Sequence, residues 1–212
     1  MQKGFHIAFS GTDGSGKSTQ AGFLFKKMKN ANYPTYFAEN NDIFSYNILQ
    51  NLTAKKQQVY FRNLIGMDNS ELVMTFDALR DYLTDILPNL CIGNNVIVPR
   101  SNFDRIAKAK LFDCSNVDII EMLHTSLCSL ADLHFFIDVP PIIAIQRINE
   151  RGIDTEDLTI IQKYYSILKK MENEYNWINI DGTKSKDQVH SQIWEIVQRF
   201  LTNKEKLHRM EN

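Results

Sequence analysis

The densest chemistry in the chain lies in nine consecutive residues, Gly11-Thr12-Asp13-Gly14-Ser15-Gly16-Lys17-Ser18-Thr19. They fit the spacing Gly-x4-Gly-Lys-Ser, which is diagnostic when a strand precedes it and a helix follows. Glycines at 11, 14 and 16 let the backbone curl into a nest whose N–H groups converge on phosphate oxygens. A helix opening near Lys17 adds the positive end of its dipole. Lys17 is expected to reach the outer phosphates of a nucleoside triphosphate, and Ser18 to bind Mg²⁺. The loop specifies phosphate binding without separating a kinase from a GTPase or a motor. Asp13 carries a further expectation. Phosphates repel a carboxylate inside an anion-binding loop, so Asp13 should face a sugar hydroxyl or a hydrated metal ion instead.

Two other pairs share the four-residue spacing that places side chains on one helical face. Phe76 and Arg80 combine a ring that can stack on a planar base with a guanidinium that can donate hydrogen bonds to it. Arg147 and Arg151 form the second pair. Arg100 follows an apolar run, at the carboxyl end of an expected strand.

Five short apolar runs, at 5–9, 35–38, 96–98, 133–139 and 177–180, read as strands. The stripe Leu72, Val73, Phe76, Leu79, Leu83, Ile86 and Leu87 predicts a helix that Pro88 ends. Ile119, Ile120, Leu123, Leu127 and Leu130 predict another. Pro140 and Pro141 should open a helix reaching Arg151. Ile160 to Met171 and Val189 to Phe200 predict two more, the last capped by Ser185. Strands alternating with helices imply a parallel sheet covered on both faces. Ligands of such sheets bind at the carboxyl ends of the strands, where the phosphate loop and Arg100 both fall.

Composition narrows the field. A chain of 212 residues with 24 basic and 25 acidic side chains has a net charge of −1, unlike the strongly basic balance of a general nucleic-acid binder. A single domain spanning 1–212 is expected at this length. No apolar stretch approaches the roughly 20 residues of a membrane span, and no secretory leader is evident. A cytoplasmic protein is therefore expected. Cys91, Cys114 and Cys128 lack metal-site or redox spacing and read as small buried hydrophobes.

With these residues in place, the chain resembles the thymidylate kinase family. Gly11-x-Asp13-Gly14-x-Gly16-Lys17-Ser18-Thr19-Gln20 is similar to that family's phosphate loop. Phe76-Asp-Ala-Leu-Arg80 resembles its Phe-x-Ala-x-Arg segment, in which the ring stacks on thymine and the Arg contacts the base. Arg100 matches the Arg of its Asp-Arg pair. The stretch from Leu133 through Arg147 to Arg151-Gly152 resembles its fourth strand and lid, and Ile180-Asp-Gly its closing strand. The resemblance implies a three-layer α/β/α P-loop NTPase fold with a five-stranded parallel sheet. It implies transfer of the γ-phosphoryl group of ATP to dTMP with Mg²⁺, and a homodimer. It casts Lys17, Arg100, Arg147, Arg151 and Asp13 in catalysis. It also places Asp13, Phe76, Arg80 and Arg100 around the acceptor, and a lid near 147–158.

The chain departs from that pattern on the acceptor side. After the second strand the family carries Arg-Glu-Pro-Gly-Gly, whose Arg holds the acceptor's phosphate; here the residues are Ala38-Glu39-Asn40-Asn41-Asp42. The family's Asp before Arg100 is Pro99. An aromatic residue expected nine positions beyond that Asp falls at Lys108. The segment after Arg151 is acidic (Asp154, Glu156, Asp157) rather than basic. These changes keep two alternatives open: a relative phosphorylating a nucleoside or another small acceptor, and a nucleotide-binding protein without turnover.

Overall fold

The computed structural model describes residues 3–38, 43–55, 61–128, 130–152 and 155–211. Five strands form one sheet: β1 (His6–Ser10), β2 (Thr35–Phe37), β3 (Asn95–Val98), β4 (Leu133–Asp138) and β5 (Ile178–Asp181). Their order is β2-β3-β1-β4-β5 and every pairing is parallel. Helices on both faces complete the expected three-layer α/β/α architecture. The chain winds outward from β1 to β2, returns through β3, then crosses to β4. The carboxyl end of β1 therefore lies at the reversal of winding, where open parallel sheets leave a crevice.

Period-two alternation distributes the apolar side chains between the layers. Ile7 and Phe9 of β1, with Phe135 and Ile137 of β4, pack against α1 (Lys17–Asn30) and α10 (Lys186–Glu211). Phe136 points the other way, into a cluster with α6 (Phe103–Leu111), α7 (Val117–Leu127) and α9 (Leu158–Glu174). Ala21, Leu24 and Met28, at helical spacing, are wholly buried on the inner face of α1. Each large apolar side chain so placed contributes about 1.5–3 kcal/mol. That burial anchors the helix whose amino end must face phosphate.

Three expectations change in the structure. The stripe from Leu72 to Leu87 is not one helix ended by Pro88. The helix α4 (Met67–Asp81) passes into a π-helical turn (Tyr82–Ile86) and then α5 (Leu87–Cys91), with Pro88 in the first turn of α5. A proline there removes an N–H that needs no partner within its own helix. Phe76 and Leu83 also leave the stripe and are exposed, because the buried face of α4 runs through Met74, Ala78 and Leu79. On α7 only Ile120 of the expected residues is fully buried; Ile119 and Leu127 are exposed, and Leu130 lies beyond the helix. Finally, Cys91 is exposed, whereas Cys114 and Cys128 are buried as expected.

Local sequence sets the helix ends that matter to the site. Pro141 opens α8 (Pro141–Arg151), and Gly152 closes it in the left-handed region at φ 67°. Asp157, within the acidic segment, accepts hydrogen bonds from the N–H groups of Thr159 and Ile160 and so caps α9. Ser185 accepts from the N–H of Gln188 at 3.3 Å, while the Gln188 side chain accepts from the N–H of Ser185 at 3.1 Å. This reciprocal capping box starts α10 where the sequence placed its cap. Ser185→Ala is expected to lower the unfolding free energy by about 1 kcal/mol, read from urea denaturation. A change within error would mean that water replaces the cap without loss.

Candidate active site

The phosphate loop leaves the carboxyl end of β1 and enters α1, as its motif requires. Gly14 has φ 78°, and a Cβ there would lie 2.4 Å from the carbonyl oxygen of Ala144 in α8. A side chain is excluded by backbone conformation and by space together. Gly16 is the residue before α1 and adopts φ 96°, with no side chain capping the helix. The first N–H groups of α1 thus face an anion site rather than an intramolecular cap. Lys17 is buried and donates to the carbonyl oxygens of Gly11 at 2.7 Å and Thr12 at 2.9 Å. The loop's own backbone holds the ammonium in place above the nest.

The cleft over this loop has a volume of about 570 Å³, within the range of small-molecule sites. It is lined by residues 13–20 with Arg100, Arg147, Glu150, Arg151, Gly182, Lys184, Lys186 and Val189. Its six basic side chains against two acidic ones suit a polyphosphate. Lys184 and Lys186 escaped the sequence reading, since isolated lysines after a strand carry no motif. Arg147 donates to the carbonyl oxygen of Gly182 at 3.0 Å, so α8 is tied to the turn after β5. Gln20 donates to the carbonyl oxygen of Lys186 at 3.0 Å and ties α1 to the same end of the sheet.

Asp13 lines the cleft and has a partner within the protein. Its carboxylate accepts from Arg100 at 3.1 Å and lies 4.0 Å from the Lys17 ammonium. Burial pushes its pKa up, but the charges of Lys17, Arg100 and Lys108 outweigh that and hold it below the usual carboxylate range. Asp13 therefore braces two phosphate-binding cations. Lys17 itself is pushed down to about 8 by burial and by Arg100, against the opposing pull of Asp13 and Asp104.

Asp104, in the first turn of α6, is a site residue the sequence did not reveal. It is 1% exposed and accepts a hydrogen bond from Ser10 at 2.7 Å, at the end of β1. His134 of β4 contacts the same hydroxyl at 3.0 Å. Burial raises the pKa of Asp104 against the pull of Lys17 and Arg100. Its Oδ2 is buried and has no hydrogen-bond partner among the described residues. A buried carboxylate thus stands five residues after Pro99, the position at which the resembled pattern has its acid. The signal available in the sequence was an Asp four residues after Arg100, too common to single out.

Mg²⁺ takes hard oxygen ligands, keeps several waters and commonly arrives with a substrate's phosphates. Among the described residues no group of three or more His, Cys, Asp or Glu could form a cage. Ser18, exposed at the start of α1 in the cleft, offers a hydroxyl, while Asp104 Oδ2, without a partner, is buried behind the cleft rather than lining it. The Ser18 hydroxyl fits an Mg²⁺ ion brought in with a triphosphate.

On α4, Phe76 is 56% exposed, so it is not part of the core. Arg80, one turn on, is held by Asp77 at 3.4 Å and Asp81 at 2.8 Å. The other oxygen of Asp77 accepts from the N–H of Ser45 at 2.8 Å, which fixes α2 (Ile43–Lys55) against α4. Glu71 is 1% exposed and pairs with Arg62 of α3 (Phe61–Ile65) at 2.5 Å and Arg105 of α6 at 3.9 Å. Residues 39–42 of the altered segment after β2, and Asp154, lie outside the described residues.

The sheet order, the loop and the basic cleft define a P-loop nucleoside-triphosphate-binding protein of the phosphotransferase kind. A family model described as thymidylate kinase matches residues 9–193. The thymidylate kinase of Leptospira borgpetersenii serovar Hardjo-bovis (strain L550) is 27% identical over 212 residues, covering 96% of this chain and 98% of its own. That of Rickettsia bellii (strain OSU 85-389) is 29% identical over 209 residues, covering 95% and 97%. The chain belongs to the thymidylate kinase family.

The depressed Lys17 predicts a proton linkage. Near pH 8.5 this amine is largely neutral in the free protein, and a bound triphosphate restores its charge. Titration of ATP in buffers of different ionisation enthalpy should show net proton uptake near pH 8.5. Uptake should shrink toward pH 6.5 and largely vanish in Lys17→Met. Equal uptake in wild type and variant would assign the linkage to another group.

Proposed function

We propose that the protein transfers the γ-phosphoryl group of Mg·ATP to the phosphate of dTMP, giving dTDP and ADP. The observation that carries this reading is the arrangement at the head of β1. There Lys17 and Arg100 converge on Asp13 at the polyphosphate cleft, and α4, bearing Phe76 and Arg80, packs against α6, whose first turn meets the end of β1. Family membership supplies the acceptor.

In the reaction, an oxygen of the dTMP phosphate forms a bond to the γ-phosphorus. The bond from that phosphorus to the β,γ-bridging oxygen breaks, and its electrons leave with ADP. Ser18 would hold Mg²⁺, which would supply neutralisation of negative charge on the donor phosphates. The protein's own work is positioning and charge stabilisation. The loop N–H groups and Lys17 hold the donor phosphates. Arg100 bridges donor and acceptor ends, with Asp13 fixing its guanidinium. Arg147 and Arg151 stabilise negative charge spread over the transferred group. An acceptor phosphate is already nucleophilic near neutral pH, so Pro99 in place of an acid removes no obligatory base. Phe76 supplies a stacking face for the thymine ring, and Arg80 its polar contact.

Segment 147–158, of which 153–154 lie outside the described residues, acts as the lid of a single domain. The exposed apolar side chains Ile119, Met122 and Leu127 on α7 favour a homodimer through that helix. No helix among the described residues is long and apolar enough to cross a membrane, in keeping with a cytoplasmic enzyme that meets free nucleotides.

The test is steady-state transfer from Mg·ATP to a panel of nucleosides and monophosphates. Turnover should be highest with dTMP, and thymidine should be at least tenfold poorer in kcat/KM. Phe76→Ala should weaken the acceptor roughly tenfold, taking the stacking worth of one base as a guide, with little change for ATP. Preference for thymidine over dTMP, or no transfer to any acceptor, would contradict the proposal.

A further inference from the structure

Any site for a nucleoside monophosphate must neutralise a dianion, and most cations around α4 and α6 are already engaged. Arg100 is held by Asp13 at 3.1 Å, Arg80 by Asp77 and Asp81, and Arg62 and Arg105 by Glu71. Lys108 differs. It lies on α6 one turn after Asp104, and residues at that spacing share a helical face. Asp104 fixes that face against Ser10 at the end of β1. Helical side chains lean toward the amino end of their helix, so Lys108 leans toward Arg100 and the phosphate loop. It is partly buried and makes no hydrogen bond or ion pair of its own to a described residue. It feels the charges of Arg105 and Arg100, of Asp13 in the loop and of Glu71 on α4, and its helix packs against α4.

We infer that Lys108 is the specificity-determining cation for the acceptor's phosphate, supplying from α6 the charge that the segment after β2 lacks. This rests on the reading of the site as one for a nucleoside monophosphate. Burial and two neighbouring guanidiniums push the free amine down to about 8, so a dianion beside it would relieve repulsion as well as make a charge-assisted contact. An uncharged nucleoside would gain neither. The residue thereby sets the choice between dTMP and thymidine.

The experiment is equilibrium binding of dTMP, thymidine and ATP to the wild type, Lys108→Met and Lys108→Arg. Methionine keeps the stem and removes the charge, while arginine keeps the charge. Lys108→Met should weaken dTMP about ten- to a hundredfold, with thymidine and ATP changed less than about threefold. Lys108→Arg should recover most of the dTMP affinity. Equal losses for dTMP and thymidine in Lys108→Met, or no loss for either, would overturn the role of Lys108 while leaving the acceptor assignment intact. A wild type that binds thymidine as tightly as dTMP would overturn the acceptor assignment and this inference together.

Discussion

Asp13 and Arg100 meet across 3.1 Å, and this contact joins the phosphate loop to the carboxyl end of β3. Without its counter-charge, Arg100 would stand against Lys17 in a largely buried space where each disfavours the other's charge. Burial and mutual repulsion already push Lys17 down to about 8. Asp13 and the buried Asp104 keep this cluster of cations tolerable until phosphates arrive. The site is thus assembled in advance, with carboxylates standing where phosphate charge will lie nearby. That is the kind of preorganisation phosphoryl transfer depends on.

The fold's contribution is to bring these charges to one place. Winding outward from β1 and back across it sets the ends of β1, β3 and β4 side by side. Gly14 lets α8 approach within contact of the loop, so Arg147 and Arg151 line the same cleft. The acceptor half is built differently from the resembled pattern. Pro99 offers no carboxylate, while the buried Asp104, five residues on, accepts from the Ser10 hydroxyl, which His134 also contacts.

Much of this was legible in the sequence, for identifiable reasons. The loop motif, the five strands and the cap at Ser185 are local signals, and each emerged where it was placed. Lys17, Arg100, Arg147 and Arg151 line the cleft together; Lys17, Arg100 and Arg151 stand at element ends, and Arg147 lies one turn before Arg151 on the same face of α8. The continuity of α4 into α5 was missed because a π-helical turn lets Pro88 begin a helix instead of ending one. Phe76 continues the apolar stripe in sequence, yet the helix buries its opposite face. Asp13 also holds Arg100, a contact across 87 residues that no local pattern encodes. Asp104 and Lys108 matter for the same non-local reason: only the packing of α6 against the head of β1 and against α4 gives them meaning.

The central claim is that one cleft holds two nucleotides at once, with their phosphates meeting at Asp13, Lys17 and Arg100. A single molecule carrying adenosine and thymidine joined by five phosphates tests it directly by isothermal titration. Linking the two halves should give binding at least about a hundredfold tighter than ATP alone, at one site per chain. Affinity no better than that of ATP would contradict the account, since it would mean that the thymidine half finds no site within reach of the loop.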